Sequence, residues 1–256
     1  VTDTPVGRIV LNGIKFSVQS GLLGLQGLNH YSTTINGVDV VDGTNNGMVL
    51  AVNTTIINPS NVNIQSGNVT LLLVNHDVVG DVLLNDLNLV IGENNITATS
   101  LFNPKASPYG YGMLNRYVSG LDTRVNISGY GGSSSIASLV PAFSAIRINS
   151  TLGGLKEKLV QQAALQVLNT TGIEDDVAHS TVSLNNPFSA GLKISHISSN
   201  VSIHGIFVAQ IDTDLDFSAP GKAVALSPEI PLHLNLYPPD MFALVRALAL
   251  QAGEDV

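Results

Sequence analysis

Apolar and polar residues alternate along most of this chain. Segments such as "GRIVLNGIKFSV", "TRVNISG", "SAIRINST", "GLKISHI" and "NVSIHGIFVAQIDTDLDF" alternate apolar with polar residues and are rich in Val, Ile and Thr, with Gly, Asn and Pro between them. A period of two puts one set of side chains on each face of a strand, so these segments predict antiparallel sheets with one face in a core and the other in water. Only two stretches carry the helical period. In "LGGLKEKLVQQAALQVLNTTG", Leu152, Leu155, Leu159, Ala163 and Val167 fall on one face and Gly172 supplies a stop. In "PPDMFALVRALALQAG", Pro239 and Asp240 open and Gly253 closes a helix of about three turns. Arg246 and Gln251 are nearly its only polar interruptions, and a membrane-surface helix would carry several cations, so packing across the end of a sheet is expected of it.

The stretch "IINPSNVNIQSGNVTLLLVNHDVVGDV", from Ile56 to Val82, interrupts an apolar run with Pro59. Proline cannot donate to a ladder, so Pro59 marks the break between two strands, "NVTLLLV" is the next strand, and Asn75-His76-Asp77 is the turn that follows. The same signature returns: Asn58-Pro59 recurs as Asn186-Pro187, 128 positions later. Each pair follows an amphipathic strand about 40 residues upstream, "IKFSV" at Ile14 and "IRINS" at Ile146, and precedes a Gly-containing strand, "VVGDVLL" at Gly80 and "IHGIFVA" at Gly205. "GMLNRYVSG" at Met113 and "DMFALVRALALQAG" at Met241 repeat at the same interval. Markers in a fixed order predict a duplicated β module, residues 1–134 and 135–256, each with a short helix. The first copy continues into a further strand, "LDTRVNISGYGG", whereas the second reaches "GEDV" where that strand would begin. Either the chain is a fragment, or the second module completes its sheet with a strand from elsewhere. An unpaired edge is a place where another chain adds a strand, so a protein partner or self-association through sheet edges is expected.

Composition narrows the chemistry. The 256 residues are 44% hydrophobic but only 12% charged, with 19 acidic against 11 basic residues and no cysteine. A chain of this length and apolar content buries a sizeable core, and polarity supplied by Asn, Ser, Thr and Gly is that of a globular protein. Without a basic cluster it lacks the footprint of a nucleic-acid binder. Without cysteine it has neither disulfides nor thiolate chemistry. No segment is long and apolar enough for a membrane helix, and "VTDTPVGRIV" lacks the layout of a signal peptide, so any leader or anchor is expected outside this chain.

Seven Asn-X-Ser/Thr acceptors occur, at Asn53, Asn68, Asn95, Asn126, Asn149, Asn169 and Asn200, while the Asn58 triplet is blocked by Pro59. With the low charge, they predict an N-glycosylated protein of the secretory pathway: extracellular, at the cell surface, or in a vacuolar lumen.

Catalytic patterns are missing from the sequence: no nucleophile elbow, phosphate-binding glycine loop or His-Glu-X-X-His helix. "GYGGSSS" at Gly129 leads into no Lys-Ser/Thr and reads as a linker between modules. Asp212, Asp214 and Asp216 alternate as calcium ligands can, but Phe217 and Ala223 stand where a calcium loop needs Gly and Glu. Period two instead puts Ile211, Thr213, Leu215 and Phe217 on the buried face and the three Asp in solvent. His196 and His204 on adjacent strands, and Asp175, Asp176 and His179 in one loop, have no third placed partner and are expected as surface or turn residues. No catalytic, cofactor or metal residue is predicted, and no cofactor.

The order "TNNGMVLAVNTTIINPSNVNIQSGNVTLLL", "GDVLLNDLNLVIGENNITATSLFNP", "LNRYVSGLDTRVNISG" and "IASLVPAFSAIRINSTLGGL" resembles a fungal tandem-module family of unknown function. The likeness is clearest from Thr44 to Leu155, and "PGKAVALSPEIPLHLNL" departs from it. Its modules are similar to late-embryogenesis-abundant, water-stress-type β-sandwiches. The resemblance implies a mainly β protein of two tandem antiparallel β-sandwich modules with an immunoglobulin-like architecture. It implies the setting of a relative that is a single-pass vacuolar membrane protein connected with ending autophagy, its modules lumenal, and it brings no catalytic residue. Three function classes remain open: a non-catalytic glycosylated structural or interaction module, a lipid-binding or lipid-transfer module whose aliphatic strands, "VTLLLV" among them, line a groove, and a hydrolase of unrecognised type for which the sequence offers no nucleophile.

Overall fold

Alternation becomes structure most plainly where Gly47–Asn58 and Gly92–Phe102 pair antiparallel over eleven registered positions, Met48 opposite Phe102 and Asn58 opposite Gly92. In this computed structural model, residues 2–4, 7–9, 17, 19, 21, 23–28, 33–167 and 176–252 are described. In chain order the elements are β1 (Thr2–Thr4), β2 (Gly7–Ile9), β3 (Thr34–Thr44), β4 (Gly47–Asn58), β5 (Ile64–Gln65), β6 (Val69–Asn75), β7 (Asp77–Leu84), β8 (Asn88–Leu89), β9 (Gly92–Phe102), α1 (Pro108–Val118), β10 (Thr123–Ser128), α2 (Val140–Ser144) and β11 (Arg147–Leu152). There follow β12 (Val160–Val167), β13 (Val177–Asn186), β14 (Leu192–Ile203), β15 (Ile206–Ala219), β16 (Ala223–Leu226), β17 (Ile230–Leu234) and α3 (Pro238–Ala252). The protein is mainly β, with antiparallel sheets and few short helices, as the alternation predicts.

The first large sheet has the order β11-β10-β6-β7-β9-β4-β3. It curls until its edges approach, and the Ser150 hydroxyl on β11 donates to the Thr33 carbonyl at the start of β3, 2.7 Å away. Inside lie Val69, Leu71, Val79, Leu89, Phe102, Val125, Phe143 and Ile148, each at most 3% exposed. Helix α1 covers one end with Met113, 4% exposed. Ser107 caps its first turn by accepting from the Gly110 N–H, Pro108 opens it, and Gly120 at φ 77° ends it in a left-handed conformation.

The second large sheet has the order β12-β13-β17-β15-β14, with β16 also on β13. Placed beside the first, the order repeats: β12, β13, β17, β15 and β14 stand where β3, β4, β9, β7 and β6 do, and α3 follows as α1 does. What the second sheet lacks, among the described residues, is a counterpart of β10 and β11. Its buried cluster is correspondingly small: Ala178, Ala209, Ile211, Ile230 and Leu232. On helix α3, Phe242 is 66%, Val245 60% and Leu250 62% exposed.

Three sequence expectations change. The helix over "LGGLKEKLVQQAALQVLNTTG" is instead the end of β11, a loop, and strand β12 paired to β13. Gly153-Gly154 interrupts the helical register, and the free edge of β13 supplies hydrogen bonds that outweigh a weak helical preference. "GYGGSSS" is no free linker: the Ser133 carbonyl accepts from the Thr70 N–H, and Ser133 is 1% exposed. "IRINS", read as the start of the second module, is β11 and completes the first sheet against β10, Val125 opposite Ser150. The expected strand at Ile14 and the helix stops Gly172 and Gly253 lie outside the described residues.

Candidate functional site

The repeated Asn-Pro signature builds a specific device. Asn58 and Asn186, 1% and 0% exposed, end β4 and β13 with their amides turned inward. Asn186 Nδ2 donates to the carbonyls of Ala190 (2.8 Å), Ala219 (3.1 Å) and Pro220 (3.0 Å), and its Oδ1 accepts from the Phe188 N–H at 3.0 Å. Asn58 donates to Val62 and Leu89 and accepts from the Ser60 N–H and hydroxyl. Each amide thus closes a turn and ties it to a neighbouring segment, which only a buried group with both donors and acceptors can do. The following proline keeps the turn from continuing as a strand.

In the second half this turn docks on the first sheet. Phe188, 6% exposed, enters the first core and stacks 6.5 Å from Tyr117 of α1. The Ala190 N–H donates to the Val40 carbonyl of β3 at 2.8 Å, while the Ser189 N–H and hydroxyl donate to the Asp39 carboxylate. Lys222 Nζ stands 3.7 Å from the same carboxylate. Partial burial pushes the Asp39 carboxyl up, but the two Ser189 hydrogen bonds and the Lys222 charge outweigh it and leave it below the usual carboxylate range. In the first half the corresponding turn holds upstream chain instead: Asn61 donates to the Gly21 carbonyl and accepts from the Leu23 N–H.

Asn53, Asn68, Asn95, Asn126, Asn149 and Asn200 are all exposed, whereas Asn58, Asn94 and Asn186 are buried; Asn169 lies outside the described residues. Four of the six lie on the outer face of the first sheet. Asn126 of β10 stands opposite Asn149 of β11. On β4 and β9 the acceptor triplets engage each other: the Thr97 hydroxyl donates to Asn53 Oδ1 at 3.0 Å and the Thr55 hydroxyl to Asn95 Oδ1 at 2.7 Å.

The polar candidates of the second sheet resolve as surface pairs. Asp212, Asp214 and Asp216 alternate outward on β15. His196 of β14 lies between two of them, Nδ1 2.8 Å from Asp214 and Nε2 3.2 Å from Asp212, and Lys193 meets Asp216 at 3.1 Å. Among the described residues no group of three His, Asp or Glu is placed to hold a metal. His179 belongs to strand β13 rather than to a loop with Asp176, because β13 begins at Val177 to pair with β17; Asp175 lies outside the described residues. His204 sits in the β14–β15 turn at φ 49°, and His76, 128 positions earlier, holds the β6–β7 turn at φ 62°. These two histidine turns, not Gly80 and Gly205, are the equivalent points, since Gly205 lies in the turn and Gly80 inside β7.

Two apolar spaces complete the picture. One of about 280 Å3 lies under α1, lined by Val40, Met48, Phe102, Met113, Tyr117 and Phe188 among others. The other, about 350 Å3, is the concave face of the second sheet, where Ile194, Ile197, Val201, Ile211 and Phe217 line an open trough.

The fold defines a mainly β protein of curled antiparallel sheets. Residues 1–73 match a protein family described only as of unknown function, DUF3712, a match that ends within β6. No curated protein matches the chain. Among the described residues no helix is long and apolar enough to cross a membrane.

Sequence reasoning found the Asn-Pro pairs as markers but missed that their amides are latches, and it missed Phe188, Asp39 and Lys222. The buried Asn at a strand end before Pro was the available signal; the Asp39–Ser189 contact, 150 positions apart, left none.

Proposed function

We propose that this chain is a non-catalytic, N-glycosylated structural or interaction module of a lumenal or extracellular space. It is built as two tandem β-sandwich modules over residues 1–134 and 135–256, with "IRINS" handed across to the first sheet, and it assembles through sheet edges. The observation that carries the reading is the exposure of every described acceptor asparagine while other asparagines are buried. A glycan needs a solvent-facing acceptor, and four acceptors on one outer face would sheathe that sheet in sugar and leave interaction to its edges. The resemblance to fungal tandem modules supports a vacuolar or cell-surface setting, anchored outside this chain.

A second reading, lipid binding or transfer, rests on the apolar space of about 280 Å3 beneath α1. It approaches the lower end of ligand-pocket volumes, about 300 Å3.

One experiment tests both. The protein is secreted from a eukaryotic host and its mass measured under native conditions, before and after enzymatic deglycosylation in heavy-oxygen water, which labels each occupied asparagine. Label is expected among Asn53, Asn68, Asn95, Asn126, Asn149 and Asn200. Secreted, folded protein with none of the seven acceptors labelled overturns the principal reading. A deglycosylated mass with no lipid added sinks the second.

A further inference from the structure

We propose that the depression between the β6–β7 turn, the last turn of α1 and the start of β10 binds a phosphate group, free or carried on a larger ligand. Asn75, His76, Arg116, Thr123, Arg124 and Thr151 line a space of about 450 Å3 there. Each of these side chains has a hydrogen to donate. The only carboxylate among the lining residues, Asp122, accepts from the Gly154 N–H, 3.0 Å away. Two guanidinium groups therefore line one concavity, and among the described residues neither pairs with a carboxylate, although the chain carries a formal net charge of -8.

The two arginines are held differently. Arg116 is fixed in place: its Nε donates to the Thr123 hydroxyl at 3.2 Å and its Nη2 to the Asp122 carbonyl at 2.6 Å. That leaves Nη1 and the second Nη2 hydrogen for another acceptor. Arg124 points to the outer face of β10, and among the described residues its guanidinium makes no hydrogen bond. His76 stacks on Tyr109 with ring centroids 4.7 Å apart, which holds the imidazole at the rim. One guanidinium fork satisfies a carboxylate, whereas two forks with an imidazole and two hydroxyls suit the several oxygens of a phosphate. Like charges gathered without a counter-ion repel, so an arriving anion relieves that repulsion as well as accepting hydrogen bonds. The scaffold does not require this set of donors. At 128 positions further on, the second half keeps the turn histidine as His204 but has Ile203 for Asn75 and Leu244 for Arg116.

The test titrates the whole isotope-labelled chain with sodium phosphate, against sodium chloride at equal ionic strength, and follows arginine Nε–H and backbone resonances. Saturable shifts centred on Arg116, Arg124 and the His76 turn are expected with phosphate and not with chloride. Arg124→Gln and Arg116→Leu are each expected to weaken binding about tenfold or more, because a hydrogen bond to a charged group is lost. Lys193→Gln, on the second sheet, should leave it unchanged. The Arg124 guanidinium makes no hydrogen bond within the described structure, so Arg124→Gln decides the matter even where Arg116→Leu fails to fold by circular dichroism. A second arm sediments the protein with phosphatidylcholine vesicles that contain or lack phosphatidic acid. Capture that needs both phosphatidic acid and Arg124 assigns the phosphate to a lipid headgroup, and phosphate binding without capture assigns it to a soluble ligand; either supports the site. No shift beyond the chloride control, shifts scattered over lysines elsewhere, or an Arg124→Gln variant that binds as the parent does overturns the proposal. Glycan occupancy enters none of these readouts, so this proposal and the functional reading fail separately.

Discussion

Replacing Asn186 tests the central physical claim about this fold, that a fully buried amide shapes the turn whose Phe188, Ser189 and Ala190 dock on the first sheet. Asn186→Ala removes the whole set at once: two N–H donors shared among three carbonyls 2.8, 3.1 and 3.0 Å from Nδ2, and one bond accepted by Oδ1 over 3.0 Å. The partners are backbone groups packed around a side chain with 0% exposure. A buried polar group left unsatisfied costs about 1–3 kcal/mol, and water entering the vacated space recovers part of four such terms, so the net loss is about 3–5 kcal/mol. That is a large share of a domain stability of about 5–15 kcal/mol. Urea unfolding followed by far-ultraviolet circular dichroism reads it as a midpoint lowered by about 1–2 M, for a slope of about 3 kcal/mol/M. Asn186→Asp keeps the shape but aims a carboxylate at three carbonyls, so at pH 7 it is expected to lose at least as much. Its acidic form restores one donor, and since burial raises the carboxyl's folded-state affinity for a proton, the variant recovers as pH falls. Asn185→Ala next door, whose amide reaches only Glu157 at the surface, changes stability by no more than about 0.5 kcal/mol. An Asn186→Ala loss below about 1 kcal/mol, or an Asn186→Asp variant as stable as the parent at pH 7, would refute the latch.

Two further outcomes follow from the same contacts. Asp39 is held below the usual carboxylate range in the folded protein, so the stability it contributes is present above the unfolded-state value of 3.8 and is lost as pH falls through its depressed folded-state value. Acid titration of stability is expected to show this loss below pH 3.8, and Asp39→Asn should abolish that component; an unchanged acid limb would count against the Asp39–Ser189–Lys222 cluster. Gly80→Ala would bring a Cβ to 2.3 Å from the Leu101 carbonyl oxygen between β7 and β9, an overlap relieved only by moving backbone. It should cost about 1–3 kcal/mol in thermal or urea melts, and a neutral substitution would refute the close approach of β7 and β9 at Gly80.

The periodicity of the sequence was enough to foresee an antiparallel β protein, because a period of two is a property of each strand alone. β10, β11 and β15 bury their predicted faces, and the three aspartates of β15 turn outward as their spacing requires. Helix α3 was legible for a similar reason, since Pro239, Asp240 and an apolar run signal a helix locally. Segment 160–167 was not, because Gln and Ala are tolerated in either state and the decision came from the free edge of β13, which no local pattern records. The Asn-Pro repeat was visible as text, but its meaning was not: burial of Asn186 depends on Ala219 and Pro220, more than 30 residues away.

Sequence by itself therefore determined the strand character and the outward aspartates of β15, both carried by residues near one another in the chain, and it displayed the repetition at 128 positions as text. Tertiary structure alone decided that β11 closes the first sheet, that Phe188 is buried in the first core, and that β12 pairs with β13. Each of these is a choice among possible partners for the same strand or side chain. Such choices are made by whichever long-range contacts bury the most surface and satisfy the most backbone, and neither quantity exists until the chain has folded.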